Sequence, residues 1–257
     1  MIIITDVTRM KTPRVCVAGV TEEGRSIRPV FPYGNIEEDW LYENGQAIIR
    51  PFAKVVLNLV APRPNPPHCE DWVIQPDCRT FLGLQSEEEK KVFLTKIADP
   101  CVEKIFGAEL QAHPGHFIRE NEGCRSLGTV HARIVTRVIL RENGSKLDYR
   151  IEFVDDSGCI YELPVTDLSF RYFVDYKRAE RSSLTRISSN LVQQFHQSDV
   201  FLRIGLARPT WKEHPHCCFL QVNGIYTFPD YSEGRCFEDF LIASLPKEGP
   251  ASSLTDQ

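Results

Sequence analysis

The stretch TVHARIVTRVILRE, residues 129–142, followed at once by Asn143-Gly144, constrains this chain more than any other part of it. Val130, Ala132, Ile134, Thr136, Val138 and Leu140 fall on one side of an alternation more than ten residues long, the period-two signature of a strand. Asn-Gly supplies the positive-φ residues that a tight hairpin turn needs. LDYRIEFV (147–154), the turn DDSG (155–158) and CIYELPV (159–165) continue the pattern, so the middle of the chain is expected to be a meander. DVFLRIGLARP (199–209) and CCFLQVNGIYTF (217–228) add two more strands.

The first half reads similarly. PRVCVAGV (13–20), the turn EEG (22–24) and RSIRPV (25–30) form one strand pair, and AKVVLNLVAP (53–62) is a strand bounded by prolines. Ser86 followed by Glu89 is a capping box. The residues after it carry Val92, Phe93, Ile97, Val102, Ile105 and Phe106 at helical spacing, with Pro100 expected to break or kink the helix and Gly107 placed to cap it. Further helices are expected from about Thr166-Asp167 and over 187–197. The natural division lies between Gly123 and Gly128, which leaves about five strands and at least one helix on each side, the content of a five-stranded Greek-key barrel. The expected architecture is therefore mostly β. Residues 1–125 form a first barrel with an inserted helix, 126–245 a second, and 246–257 a polar, disordered tail.

A net charge of −5 over 257 residues argues against a protein that coats nucleic acid indiscriminately, but leaves room for a local basic groove. None of the nine cysteines sits in a CxxC pair, and MIIIT at the start is too short for a signal-peptide core. No run of about 18 apolar residues occurs. The expectation is a reduced, cytoplasmic protein that does not enter the membrane.

Three times the chain places Arg-Pro after an apolar stretch: Arg28-Pro29, Arg50-Pro51 and Arg208-Pro209. Proline donates nothing to a ladder and forces its predecessor into extended geometry, so each pair ends or edges a strand while holding its arginine outstretched. Two readings follow. The arginines are rim residues beside strand terminators, or they converge at a barrel mouth, where planar guanidinium groups recognise phosphate or carboxylate. The second reading predicts that Arg28→Ala weakens an anionic ligand without lowering the melting temperature.

RVCVAGV followed by GRSIRPV, then PPHCEDW (66–72), YELPVTDLSFR (161–171) and LRIGLARP (202–209), together resemble the dual OB-containing domain family of prokaryotes. The resemblance runs from about residue 12 to 228 and implies two OB-like barrels in tandem. It also implies association with nucleic acid or a nucleotide-like ligand, by analogy of fold. The Arg-Pro pairs and Glu70-Asp71-Trp72 are the positions that match the family pattern, and no catalytic set is carried over.

SFRYFVDYKRAERSSLTR (169–186) is the strongest nucleic-acid candidate. Arg171, Lys177, Arg178 and Arg181 interleave with Tyr172 and Tyr176, the mixture from which single-strand grooves are built. The same aromatics recur at helical spacing with Val165 and Leu168, and equally serve to pack the segment onto a barrel. His113 and His116, with His214, His216 and Cys217, have zinc-ligand chemistry, although proline interrupts both groups and nothing in the sequence brings them together; no metal or other cofactor is expected. Trp72 anchors a proline-rich docking loop more naturally than His68, Glu70 and Asp71 form an acid–base set, since adjacent residues point in different directions. The P-loop, Rossmann, HExxH and GxSxG signatures are absent, which removes the support for the commonest NTPase, dehydrogenase, metalloprotease and hydrolase readings; the reading favoured is a non-enzymatic binding module for nucleic acid or a nucleotide-like anion. The alternative is an acidic subunit that docks a basic protein partner or effector.

Overall fold

The computed structural model describes residues 1–144 and 146–244; the tail expected over 246–257 lies outside them. Five strands close the first barrel: β1 (Ile2–Arg9), β2 (Val15–Thr21), β3 (Ser26–Val30), β4 (Ala53–Pro62) and β5 (Asp71–Leu84), in the order β1-β2-β3-β5-β4. Ile2 pairs with Val55 to complete the circuit, and β3 runs parallel to β5, with Arg28 opposite Asp71. The second sheet contains β6 (Leu127–Asn143), β7 (Lys146–Asp155), β8 (Ile160–Pro164), β9 (Asp199–Leu206) and β10 (Cys217–Phe228), in the order β8-β7-β6-β9-β10. It curls until Val165, just after β8, meets Val222 of β10 in a parallel bridge. The two circuits are therefore the same, strand for strand, and the chain is mostly β with two OB-like barrels.

Local chemistry explains the elements. α1 (Glu87–Ile97) begins at the expected capping box: Ser86 accepts from the Glu89 backbone N–H and Glu89 accepts from that of Ser86. It stops at Ile97 rather than running on toward Gly107, because Ala98–Asp99, just before Pro100, pairs as a short strand with β6. Phe117–Arg119 likewise pairs with β10, so hydrogen bonding from 98–119 reaches into the second sheet. α2 (Leu168–Ala179) is capped by Asp167, which accepts from Ser169 and Phe170, and α3 (Leu184–His196) is capped by Ser183. A fourth helix, α4 (Phe237–Ser244), was not anticipated. Nor was β1, whose opening MIIIT is a buried barrel strand. It lies so close to β2 that a Cβ at Gly19 would sit 2.5 Å from the Ile3 carbonyl oxygen.

The meander is present, but its inward face differs from the alternation. Register shifts interrupt β6 between Ala132 and Ile134 and again between Val135 and Arg137. Each shift resets the parity by one residue. Val135 therefore turns into the core, while Ile134 is 42% exposed and Thr136 faces solvent.

Each barrel has its own apolar core, and α2 lies between them: Leu168 packs in the first, Phe170, Phe173 and Val174 in the second. The contact between barrels is polar and buried. Arg203 on β9 and Asp6 on β1, each 1% exposed, form an ion pair at 2.9 Å, and Arg203 also donates to Thr129 at 2.8 Å. Glu70 accepts from the backbone N–H of Leu127 at 3.1 Å and from the Ser126 hydroxyl at 3.0 Å. Tyr226 donates to the Thr5 carbonyl at 2.6 Å. Among the described residues no helix is long and apolar enough to cross a membrane. All nine cysteines are free.

Candidate nucleic-acid interface

In a barrel of this topology the second and third strands, with the loops after the first and fourth, form the ligand-binding face. On the first barrel that face opens into a cavity of about 440 Å³. The end of β1 and the loop behind it contribute Arg9, Lys11 and Arg14, β2 and β3 contribute Cys16 and Arg28, and the β4–β5 loop contributes His68. On the second barrel the equivalent face opens into a cavity of about 520 Å³. Its walls include Asp148 and Arg150 on β7, Glu162 on β8, Trp211 in the β9–β10 loop, and Phe219 on β10. The two cavities share Ala207, Arg208, Thr210 and Gln221, and so form one cleft with two arms.

The arms differ in charge. Arg9, Lys11, Arg14, Arg28 and Arg208 line the first, and no carboxylate joins them there. The acids that balance them stand behind the wall. Glu38 pairs with Arg9 at 3.0 Å, and Asp71 accepts from both Arg28, at 3.1 Å, and Arg208. Lys11 and Arg14 form no ion pair among the described residues. The second arm is aromatic and mixed in charge. Trp211 is 57% exposed and its ring centroid lies 4.9 Å from that of Phe219. Arg150 donates to Glu162 at 2.8 Å.

Of the three Arg-Pro arginines, the structure brings together two. Arg28 is buried: besides Asp71 it donates to Ser126 at 2.8 Å, which ties the first barrel to the start of β6. It is a structural cation within the cleft wall, so Arg28→Ala should lower stability, contrary to what convergence at a barrel mouth predicts. Arg208 is the cleft's own guanidinium, 44% exposed and anchored by a nearly buried Asp71. Arg50 does not join them. It lines a separate cavity of about 50 Å³ beside Asp167 and Asp230 and pairs with Glu238 at 3.9 Å.

The aromatic-basic segment lies elsewhere too, and its aromatics are used for packing. Tyr172 donates to Glu38 at 3.2 Å under the Arg9 guanidinium, while the Tyr176 ring packs on Phe240 and its hydroxyl donates to Glu180. Arg171 donates to the Val165 carbonyl at 2.9 Å and covers Tyr149. Lys177 pairs with Glu180 and Arg178 with Glu142, while Arg181 is exposed past the end of α2. None of them lines either arm. Replacing Lys177, Arg178 and Arg181 together with Glu is expected to leave nucleic-acid affinity within about twofold; a large loss with a flattened salt dependence would move the interface to α2. Trp72 is half-buried at the start of β5, at the base of the proline-rich loop, with Arg25 stacked 4.9 Å from its ring.

His116 lines the second arm, His214 packs against Trp211 and Phe219, and His216 meets Glu120 at 3.2 Å. Among the described residues no three His, Cys, Asp or Glu side chains gather as a metal site. The residues missed by sequence reasoning are Arg9, Lys11, Arg14 and Trp211. Their signal was present: TRMKTPR (8–14) holds three cations in a proline-containing loop, and Trp211 stands two residues beyond Pro209.

His68 shows how tightly the cleft floor is built. Its Nε2 lies 3.1 Å from the Leu206 carbonyl oxygen, a contact that requires a proton on Nε2. Burial, reinforced by the nearby Arg28 and Arg208, pushes its pKa down to about 3. The unfolded chain takes up a second imidazole proton below about pH 6.5 and the folded one does not until about pH 3, so stability is full above the first value and is lost as pH falls. The expected slope is about 1.4 kcal/mol per pH unit from this group. Urea unfolding at several pH values should show that slope, and His68→Gln should flatten it; an unchanged slope in the variant would refute the assignment.

A family model described as a dual OB-containing domain matches residues 1–225. No curated protein and no solved structure matches the chain.

Proposed function

Because the chain belongs to the dual OB-containing domain family, we propose that it binds single-stranded nucleic acid, or a nucleotide-like anion, in the two-armed cleft. One observation carries this reading: the ligand faces of both barrels open into a single cleft hinged at Arg208, with five cations and no carboxylate lining the first arm. On a chain of net charge −5, this arm gathers five cations with no carboxylate among them. Such a local field draws phosphate while the rest of the molecule repels it, which favours a defined site over indiscriminate coating. The aromatic arm supports the same ligand class, since stacking on an exposed tryptophan is available to any base.

Lys11, Arg14 and Arg208 are the cations exposed to a phosphate backbone. Three neutralised phosphates on a single strand give log K against log salt a slope of about −2. Fluorescence anisotropy of a short mixed-sequence oligonucleotide, DNA and RNA in parallel, titrated with the protein at several salt concentrations, tests this. Failure to bind either at low salt, or binding without a salt slope, would overturn it.

A further inference from the structure

The second arm is ill suited to phosphate, and its chemistry states what it takes instead. We infer that it reads one base of the bound strand and selects bases that carry an exocyclic amino group, which rests on the cleft being the nucleic-acid site. The argument begins with size. A cavity of about 520 Å³ accommodates a base and its sugar. One wall is Trp211, which is 57% exposed and is braced by Phe219 at 4.9 Å and His214 at 6.2 Å. A braced aromatic with a bare face is a stacking platform.

Of the acidic and guanidinium groups in the lining, all but one are paired: Arg150 with Glu162, and Arg208 with Asp71. Asp148 lines the cavity and has neither a hydrogen bond nor an ion pair among the described residues. Glu162 also lines it, and is held in place by Arg150 at 2.8 Å and Arg137 at 3.3 Å. Arg150 and Arg208 are thus each committed to a carboxylate, and the unpaired charge in the arm is the Asp148 carboxylate. A carboxylate accepts from the amino groups of cytosine, adenine or guanine, as acidic side chains do from cytosine N4. Thymine and uracil present carbonyl oxygens flanking a single imino N–H, and those oxygens meet the carboxylate with repulsion. The arm therefore discriminates through the one charge it leaves unpaired, the Asp148 carboxylate.

The test compares oligo(dC), oligo(dA) and oligo(dT) of equal length on the full chain at one salt concentration and pH 7.5. We expect dC and dA to bind about tenfold tighter than dT. Asp148→Asn, whose amide offers a donor as well as an acceptor, should bring dT to within about twofold of dC. Trp211→Ala should weaken all three by about tenfold and leave their ratio unchanged. Equal affinity of the unaltered chain for the three, or a ratio unmoved by Asp148→Asn, overturns the base selection while leaving the cleft as the binding site. No binding by any of them overturns the site and the selection together. Thermal melting of each variant confirms that half-buried Asp148 and exposed Trp211 can be changed without unfolding the chain.

Discussion

Replacing Arg203 with Met is expected to destabilise the fold by about 3–5 kcal/mol, because it leaves a buried carboxylate without its counter-charge. Arg203 and Asp6 are each 1% exposed, come from different barrels and meet through three contacts of 2.9–3.2 Å. Without the guanidinium, Asp6 retains only the Thr5 hydroxyl at 2.8 Å. The cost lies in the orphaned charge more than in the lost attraction, since desolvating two ions offsets most of what their pairing contributes. The double variant Asp6→Leu with Arg203→Met should accordingly recover much of the loss. Urea unfolding measures both. A single-variant loss below about 1 kcal/mol, or a double variant worse than the single, would show that the pair does not hold the barrels together. The single variant should also split the unfolding transition, as the pair lies in the contact that couples the two cores.

The second large effect concerns binding. Lys11→Ala, Arg14→Ala and Arg208→Ala combined should reduce oligonucleotide affinity by about 100-fold and bring the salt slope close to zero. Stability should hardly change. Lys11 and Arg14 have no ionic partner among the described residues, and Asp71 keeps Arg28 after Arg208 is removed. Arg28→Ala is the contrasting control: it removes the donor to Asp71 and Ser126 inside the contact, so it should cost stability first and affinity only as a consequence. An intact salt slope in the triple variant would show that the phosphates run elsewhere. Anisotropy for binding and melting for folding separate the two outcomes.

Much of the architecture was legible in residue order because it rests on local physics. Alternation, Asn-Gly and the Ser86–Glu89 box each act within a few residues, and each produced the expected element. The arginines were harder to place. Proline states that Arg28, Arg50 and Arg208 are held extended, but the direction each takes depends on which strand lies opposite. The aromatic-basic segment could serve either a groove or a core, and amphipathic spacing alone does not distinguish them. Here Phe170 and Phe173 fill the second core while the cations of α2 find glutamates nearby.

What residue order determined, then, is two β-rich halves, their hairpins and the starts of the first two predicted helices. What only tertiary structure decided is which groups meet. Asp71 joins an arginine 43 residues before it to another 137 residues after it, and Arg203 reaches back 197 residues to Asp6. Two register shifts in β6 also exchanged its inner and outer faces over residues 134–136. The reason in each case is that side-chain direction along a strand has a period of only two, so one bulge or one step of register reverses it. That step is set by partners far away in the chain.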